Sequence, residues 1–231
     1  MIYFNNVALE SVAPVRIEDV HVSPIQLSAV SRQRPIRFGA DFVRMTGGGR
    51  SVNISFALLT NDMATRQRQL QSITKWARSD HPGKLQLPYY DGYLECSCTS
   101  LPTPSLRQWW ESQLSITFQT FDNPYWNNIS ERTSQCGSEF SANGDAPPLM
   151  RIERSLSASA SSQAYSDGEN TMTFSTIPAG DLVIDLNNQT AAVDGESIMQ
   201  YYTYDSTFII PKTGVQTITG TGTVCWRERW E

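Results

Sequence analysis

This sequence is short of the residues that usually carry chemistry. Histidine occurs only at His21 and His81, the first beside a strand-like run and the second in a Pro-Gly helix stop, which leaves a histidine-based triad without context. The four cysteines, Cys96, Cys98, Cys136 and Cys225, are too few to staple a chain of 231 residues and are expected as free thiols. Cys96 and Cys98 point to one side of a strand, but no second cysteine pair or spaced histidine pair completes a metal site. Asp181, Asp185 and Asp194 lack the oxygen-rich loop spacing of a calcium site. The run Gly47-Gly48-Gly49-Arg50 lacks the Gly-Lys-Ser/Thr ending of a phosphate loop and leads into a strand, so a hairpin turn is expected there. No catalytic residue, cofactor or metal is expected, and the chain does not read as an enzyme.

Other absences bound the setting. No apolar stretch approaches the ~20 residues of a membrane span, so no membrane insertion is expected. Met1-Ile2-Tyr3-Phe4-Asn5-Asn6 shows no basic start followed by an apolar core, which predicts no secretory leader and synthesis in a cytosol. Net charge is -5 and unevenly placed: residues 1 to 140 hold 13 Lys and Arg against 12 Asp and Glu, and residues 141 to 231 hold 5 against 11. No basic cluster argues for tight nucleic-acid binding.

One helix and many strands are present. Val52, Ile54, Phe56 and Leu58 alternate with small or polar residues, the period of a strand with one buried face. Thr60-Asn61-Asp62 offers capping oxygens, and Met63, Leu70, Ile73 and Ala77 then fall at helical spacing with Trp76 beside them. Arg66, Arg68, Gln69, Lys75 and Arg78 supply the wet face of a helix over about 62–79, which Asp80-His81-Pro82-Gly83 stops. Lys84-Leu85-Gln86-Leu87-Pro88 closes the unit as a strand, with Tyr89 and Tyr90 in the following turn.

Beyond the helix the pattern stays β. Leu94, Cys96 and Cys98 alternate, Pro102 and Pro104 break the run, and Leu114 to Phe121 alternates again. The polar segment Ser130 to Pro148 has linker composition, so the domains are expected at 1–140 and 141–231. In the second, Asp181 to Leu186 and Thr190 to Val193 flank a hairpin signal, and Val224, Trp226 and Trp230 share a strand face. Short strands at such spacing predict a sandwich or jelly-roll-like domain. Tyr201, Tyr202 and Tyr204 are candidates for stacking on a sugar, or for packing.

Four segments together resemble the distal tail protein (Dit) family of long, non-contractile-tailed bacteriophages: Gly47-Gly48-Gly49-Arg50 into Val52-Asn53-Ile54-Ser55-Phe56, the helix ending in Trp76, Lys84 to Tyr90, and Leu114 to Phe118 leading to Asp122-Asn123-Pro124-Tyr125-Trp126. Gly180 to Asp185, Asp194-Gly195 and Trp226-Arg227-Glu228-Arg229-Trp230 extend the likeness through the second domain. The resemblance implies a mainly β fold: a β-rich belt domain, a β-sandwich or split barrel with one α-helix, followed by a galectin-like β-sandwich. It also implies a structural protein of the virion tail tip, a homo-hexamer joining the tail tube protein to the hub or receptor-binding proteins around a channel for DNA. The second domain contains no histidine, so galectin-like describes a fold and not a lectin. A carbohydrate-binding module and a tail-tube subunit are the alternatives, and ring and partner interfaces are not assigned to residues.

Overall fold

The computed structural model describes residues 1–33, 40–60, 62–102, 114–121 and 123–231. Asn61, Pro104 and Asp122, expected in a cap, a strand break and a loop, lie outside the described residues. The chain is mainly β, in two compact units, Met1–Trp126 and Asn127–Glu231.

The first unit contains β1 (Tyr3–Phe4), β2 (Val7–Ala8), α1 (Leu9–Val12), β3 (Val15–Val22), β4 (Leu27–Gln33), β5 (Ala40–Gly47), β6 (Ser51–Leu58), α2 (Met63–Ala77), β7 (Gly83–Gln86), β8 (Leu94–Ser100) and β9 (Leu114–Gln119). Seven of these strands form a sheet in the order β2-β1-β7-β8-β9-β6-β3, antiparallel at every junction. The alternation in β6 does what its period predicts: Val52, Ile54 and Phe56 are buried and stand opposite Phe118, Ile116 and Leu114 of β9. Same-face pairs of this kind are the units that stabilise a sheet.

Helix α2 lies over that buried face. Leu70, Ile73 and Ala77 are buried, and Trp76 meets Phe4 and Phe118 in a three-ring cluster with centroids 5.0 to 6.1 Å apart. The Trp76 Nε1–H donates to the Val7 carbonyl at 2.9 Å, which satisfies its polar edge. Asp62 is the N-cap, its carboxylate accepting from the Thr65 N–H at 2.7 Å. Two residues differ from the sequence expectation. Met63 is exposed and Arg66 is buried: Arg66, Leu70, Ile73 and Ala77 form the inward i, i+4, i+7, i+11 stripe, and Met63, on the same stripe in the first turn, is left uncovered.

The three glycines are not a hairpin turn. Strand β5 pairs with β4, whereas β6 pairs with β3. Between them Ser23 N–H donates to the Ser51 carbonyl and Gly48 N–H to the Gln26 carbonyl. The chain therefore makes one long two-stranded hairpin, β3-β4 against β5-β6, interrupted midway where the glycines sit. Neither Gly48 nor Gly49 has a positive φ. A β-carbon on Gly49 would stand 2.1 Å from the Thr120 carbonyl oxygen, so close approach of two backbones selects glycine here.

A two-residue strand, β10 (Trp126–Asn127), lies where the units divide. The second unit holds β11 (Arg132–Gln135), β12 (Glu139–Ala142), β13 (Ala146–Leu156), β14 (Ala160–Ser166), β15 (Thr171–Ile177), β16 (Gly180–Asp185), β17 (Thr190–Val193), β18 (Glu196–Ser197), a single 3-10 turn at Met199–Tyr201, β19 (Gly214–Thr217) and β20 (Thr223–Trp230). The Ser130–Pro148 segment is thus strand and not linker: β11 pairs with β20 and β12 with β19. Compactness divides the chain at Trp126/Asn127, not at 140/141. The segment looked like linker because its strands keep one wet face, but Phe140 and Ala142 are buried.

One layer of this unit runs β20-β13-β16-β17-β18, with β11 on the other side of β20. The hairpins β14-β15 and β12-β19, linked by a bridge between Ser166 and Thr219, supply the facing residues. Met150, Ile152, Leu182, Ile184, Val224 and Trp226 close on Phe140, Tyr165, Met172 and Phe174 in one core, the arrangement of a β-sandwich. Val224 and Trp226 share the inward face as expected, but it continues to buried Glu228, while Trp230 is exposed. Glu228 accepts from the Asn143 N–H at 3.1 Å and pairs with Arg132 at 3.1 Å, partners a buried carboxylate needs.

Candidate assembly surfaces

His21 and His81 are both exposed, far apart in the sequence and on different elements. Among the described residues no group of three His, Cys, Asp or Glu could hold a metal ion. All four cysteines are free. Burial pushes the Cys96 thiol up to about 12, with the neighbouring Cys98 adding to the shift, and pushes Cys225 up to about 11. Burial also raises Cys98 and Cys136, the opposite of what a reactive thiolate requires.

The aspartates of the second unit organise turns. Asp185 accepts from the backbone N–H groups of Asn187 and Asn188 at 3.0 and 2.9 Å. Asp194 accepts from the Asp181 N–H at 2.9 Å, and Asp181 from the Ser155 hydroxyl at 2.6 Å. Of the three tyrosines, Tyr202 stacks on Phe208 at 4.9 Å and meets Phe174 edge-on, and Tyr201 is half-buried. Tyr204 alone is fully exposed.

The first unit carries a surface that the sequence reading missed. Among the described residues β3 pairs only with β6, so its outer edge is open. Val15, Ile17, Val20 and Val22 of β3 are only half-buried, where the inner strand β6 buries its whole apolar set. A cavity of about 710 Å³ lies beside β3, lined by Ile2, Ile17, Val20 and Leu87 and by Glu10, Glu18 and Asp19. Met1, Pro88, Tyr89 and Tyr90 complete it, with Tyr89 87% exposed and Tyr90 held flat against Trp126 at 4.1 Å. A long, half-apolar, unpaired edge is a template for another strand unless something covers it.

The two-stranded arm β4-β5 has the complementary charge. From Leu27 to Gly47 the sequence holds four arginines, Arg32, Arg34, Arg37 and Arg44, against the single acid Asp41. Its strands of seven and eight residues make it about 23 Å long at ~3.3 Å per residue. Alternating apolar residues with acids in Val15–Val22, and arginines every few residues after Leu27, are the sequence signals that could have located both surfaces.

An antiparallel β unit with a covering helix and a long hairpin, followed by a β-sandwich, has counterparts of similar fold among solved phage structures. The full chain superposes on the crystal structure of the SPP1 Dit (gp 19.1) protein, described as a paradigm of the hub adsorption apparatus in phages infecting Gram-positive bacteria, with a TM-score of 0.75 and 13% identity over 100% of this chain and 98% of that one. It is also similar to chains of the phage P2 baseplate in its activated conformation, with Ca (TM-score 0.51, 10% identity, 94% and 90% covered) and with Sr (TM-score 0.50, 10% identity, 94% and 91% covered). No family model and no curated protein sequence matches the chain. The likeness is one of fold.

Proposed function

We propose that the protein is a structural, non-enzymatic subunit of a phage tail tip: a homo-hexameric ring at the distal end of a long non-contractile tail, assembled in the host bacterial cytoplasm. One face of the ring meets the tail tube protein and the other the hub or receptor-binding proteins, and DNA passes through the central channel. The observation that carries this reading is the end-to-end correspondence with a hub adsorption protein, both units included. A fold shared over one domain would say little about role, since folds are reused. Correspondence of both units in the same order supports the reading more than a single shared domain would.

The open edge and the charged arm support a ring. A heterologous contact, in which one patch of each copy meets a different patch of the next, closes into a ring when the rotation allows. The cleft beside β3 carries Glu10, Glu18 and Asp19, and the sequence from Leu27 to Gly47 carries four arginines against one acid, so the two segments are opposite in charge. Their attraction is long-ranged and steers docking, while the β3 edge and the Ile17 and Val20 side chains supply main-chain bonds and apolar burial. Channel passage of DNA suits a subunit whose cations are engaged between subunits, because each phosphate contact would retard the genome.

Light scattering tests the mass, and negative-stain microscopy tests the shape. The expected results are a six-fold mass and rings with a central hole. A chain that stays monomeric at hundreds of micromolar overturns the ring, and long stacked tubes would assign it to the tail tube instead. Replacing Arg32, Arg34 and Arg37 together by glutamate is expected to abolish the ring and leave the thermal unfolding of the monomer in place.

A further inference from the structure

The turn that joins β12 to β13 is pinned at both ends and free in the middle. At one end the Asn143 N–H donates to the buried Glu228 carboxylate at 3.1 Å, and at the other the Asp145 N–H donates to the Arg229 carbonyl at 2.9 Å. Between them the Gly144 N–H has no hydrogen-bond partner among the described residues. Gly144 has a φ of 149°, and a β-carbon on it would stand 2.5 Å from the Arg229 carbonyl oxygen, so no other residue fits there without displacing backbone.

Asn143 is exposed, and one contact holds its side chain: the Ser141 hydroxyl donates to Oδ1 at 2.9 Å, while Nδ2 has no partner among the described residues. Asn-Gly occurs once in the sequence. The backbone nitrogen after an asparagine can close a five-membered ring on the side-chain carbon Cγ, and a glycine there puts no side chain in the way. In this turn that nitrogen is unbonded. The Ser141 hydroxyl draws electron density from the carbonyl under attack and holds the oxygen that becomes negative, and nothing retains the Nδ2 leaving group. Other asparagines of the unit are tied down. Asn187 accepts from the Met150 N–H at 2.7 Å and donates to the Pro148 carbonyl at 3.0 Å, and Asn188 Nδ2 donates to the Asp185 carboxylate at 2.8 Å.

We propose that Asn143 is a self-modification site, at which the folded turn converts asparagine to aspartate and isoaspartate with water as the only other reactant. The Gly144 nitrogen bonds to Asn143 Cγ and gives up its proton. The Cγ–Nδ2 bond breaks, and the amide group leaves with that proton as ammonia. Water then opens the succinimide, its hydroxyl going to the attacked carbon and its hydrogen to the ring nitrogen. Attack at Cγ gives aspartate, and attack at the main-chain carbonyl carbon gives isoaspartate, whose backbone runs through Cβ and Cγ and is one carbon longer. Both products place a new negative charge beside Glu228. The extra carbon of isoaspartate lies between the pinned ends of the turn and strains the bonds to Glu228 and Arg229, whereas aspartate leaves the chain length as it was. This assignment stands apart from the ring reading.

Incubation of the full-length protein in mildly alkaline buffer, with peptide mass mapping over time, tests the site. The peptide holding Asn143 is expected to gain about 1 Da and to separate into aspartate and isoaspartate forms, at least tenfold faster than any other asparagine peptide. S141A is expected to slow the gain about fivefold, the worth of one exposed neutral hydrogen bond, and S141T, which keeps a hydroxyl, to restore most of it. Circular dichroism melts of the fresh variants control for folding, and aged wild type is expected to melt a few degrees below N143D, which carries the charge without the longer link. An Asn143 that stays intact in the folded chain but deamidates in urea overturns the proposal, because the turn then protects the residue. An S141A chain that reacts at the wild-type rate overturns it as well, because the Asn-Gly sequence alone would then set the rate.

Discussion

A β-carbon added to Gly49 would stand 2.1 Å from the carbonyl oxygen of Thr120. Thr120 reaches that position because its N–H donates to the Arg50 carbonyl at 2.9 Å and its hydroxyl accepts from the Arg50 N–H at 2.7 Å. The end of β9 is thus clamped to the start of β6, and Gly49 passes underneath. Backbone, not a flexible side chain, occupies the space. Gly49→Ala is expected to lower stability by about 1–3 kcal/mol, the cost of forcing a methyl into a filled site, as read from urea unfolding. An unchanged midpoint would mean that the clamp gives way at no cost.

The ring cluster over the first sheet supplies a larger effect. Phe118 is fully buried, with Phe4 at 5.0 Å and Trp76 at 6.1 Å. Phe118→Ala removes one of three mutually touching rings, and the cost expected from a large-to-small change in a packed core is about 3–5 kcal/mol. Phe118→Leu, which refills most of the space, should lose much less. Denaturant unfolding with Trp76 fluorescence as the probe checks both. Equal losses for the two variants would show that the site collapses around any side chain.

Much of this core was legible from single segments, and what escaped needed more than one. Val52, Ile54 and Phe56 alternate because β6 lies inside a sheet, and the period alone reveals that. Leu70, Ile73 and Ala77 revealed the inward helix face, but whether Met63 or Arg66 joins it depends on where the sheet ends beneath the first turn. The glycines 47 to 49 were readable as a break in strand structure, not as an irregularity within one hairpin, since that depends on which strands pair. Ile2, Ile17 and Leu87 meet around the cleft from three segments distant in the sequence. No local pattern announces such a site, because each contributing segment supplies only a few of its residues.

At the start of α2 the cap has a pH signature. The hydrogen bond from the Thr65 hydroxyl, then that from its backbone N–H, hold the Asp62 carboxyl below its ordinary value of 3.8. A depressed carboxylate stabilises the fold above its unfolded value and loses that stabilisation as pH falls through the folded one. Asp62→Ala should therefore melt lower than wild type at pH 7, and the gap should narrow as pH drops below about 4. Asp62→Asn keeps an oxygen acceptor for the first turn and should fall between the two. A gap that stays constant to pH 2 would assign the loss to something other than the ionised cap.

The opposite sign applies to Cys96 at alkaline pH. Its thiol, buried beside Leu94 on the inward face of β8, is pushed from 9.0 up to about 12, by burial first and by Cys98 second. The folded chain keeps a proton that the unfolded chain releases, so the contribution is whole below pH 9 and is lost as pH rises from 9 towards 12. Melting temperature should fall more steeply above pH 9 in wild type than in Cys96→Ala, although the variant, which loses a buried sulfur, begins from a lower value. The same burial predicts that a thiol reagent at pH 8 leaves Cys96 and Cys225 unmodified in the folded protein and reaches all four cysteines once it is unfolded. Rapid labelling of Cys96 in the native state, or parallel pH slopes for the two proteins, would show that β8 opens to solvent without global unfolding and that the inward face of the sheet is not closed at that strand.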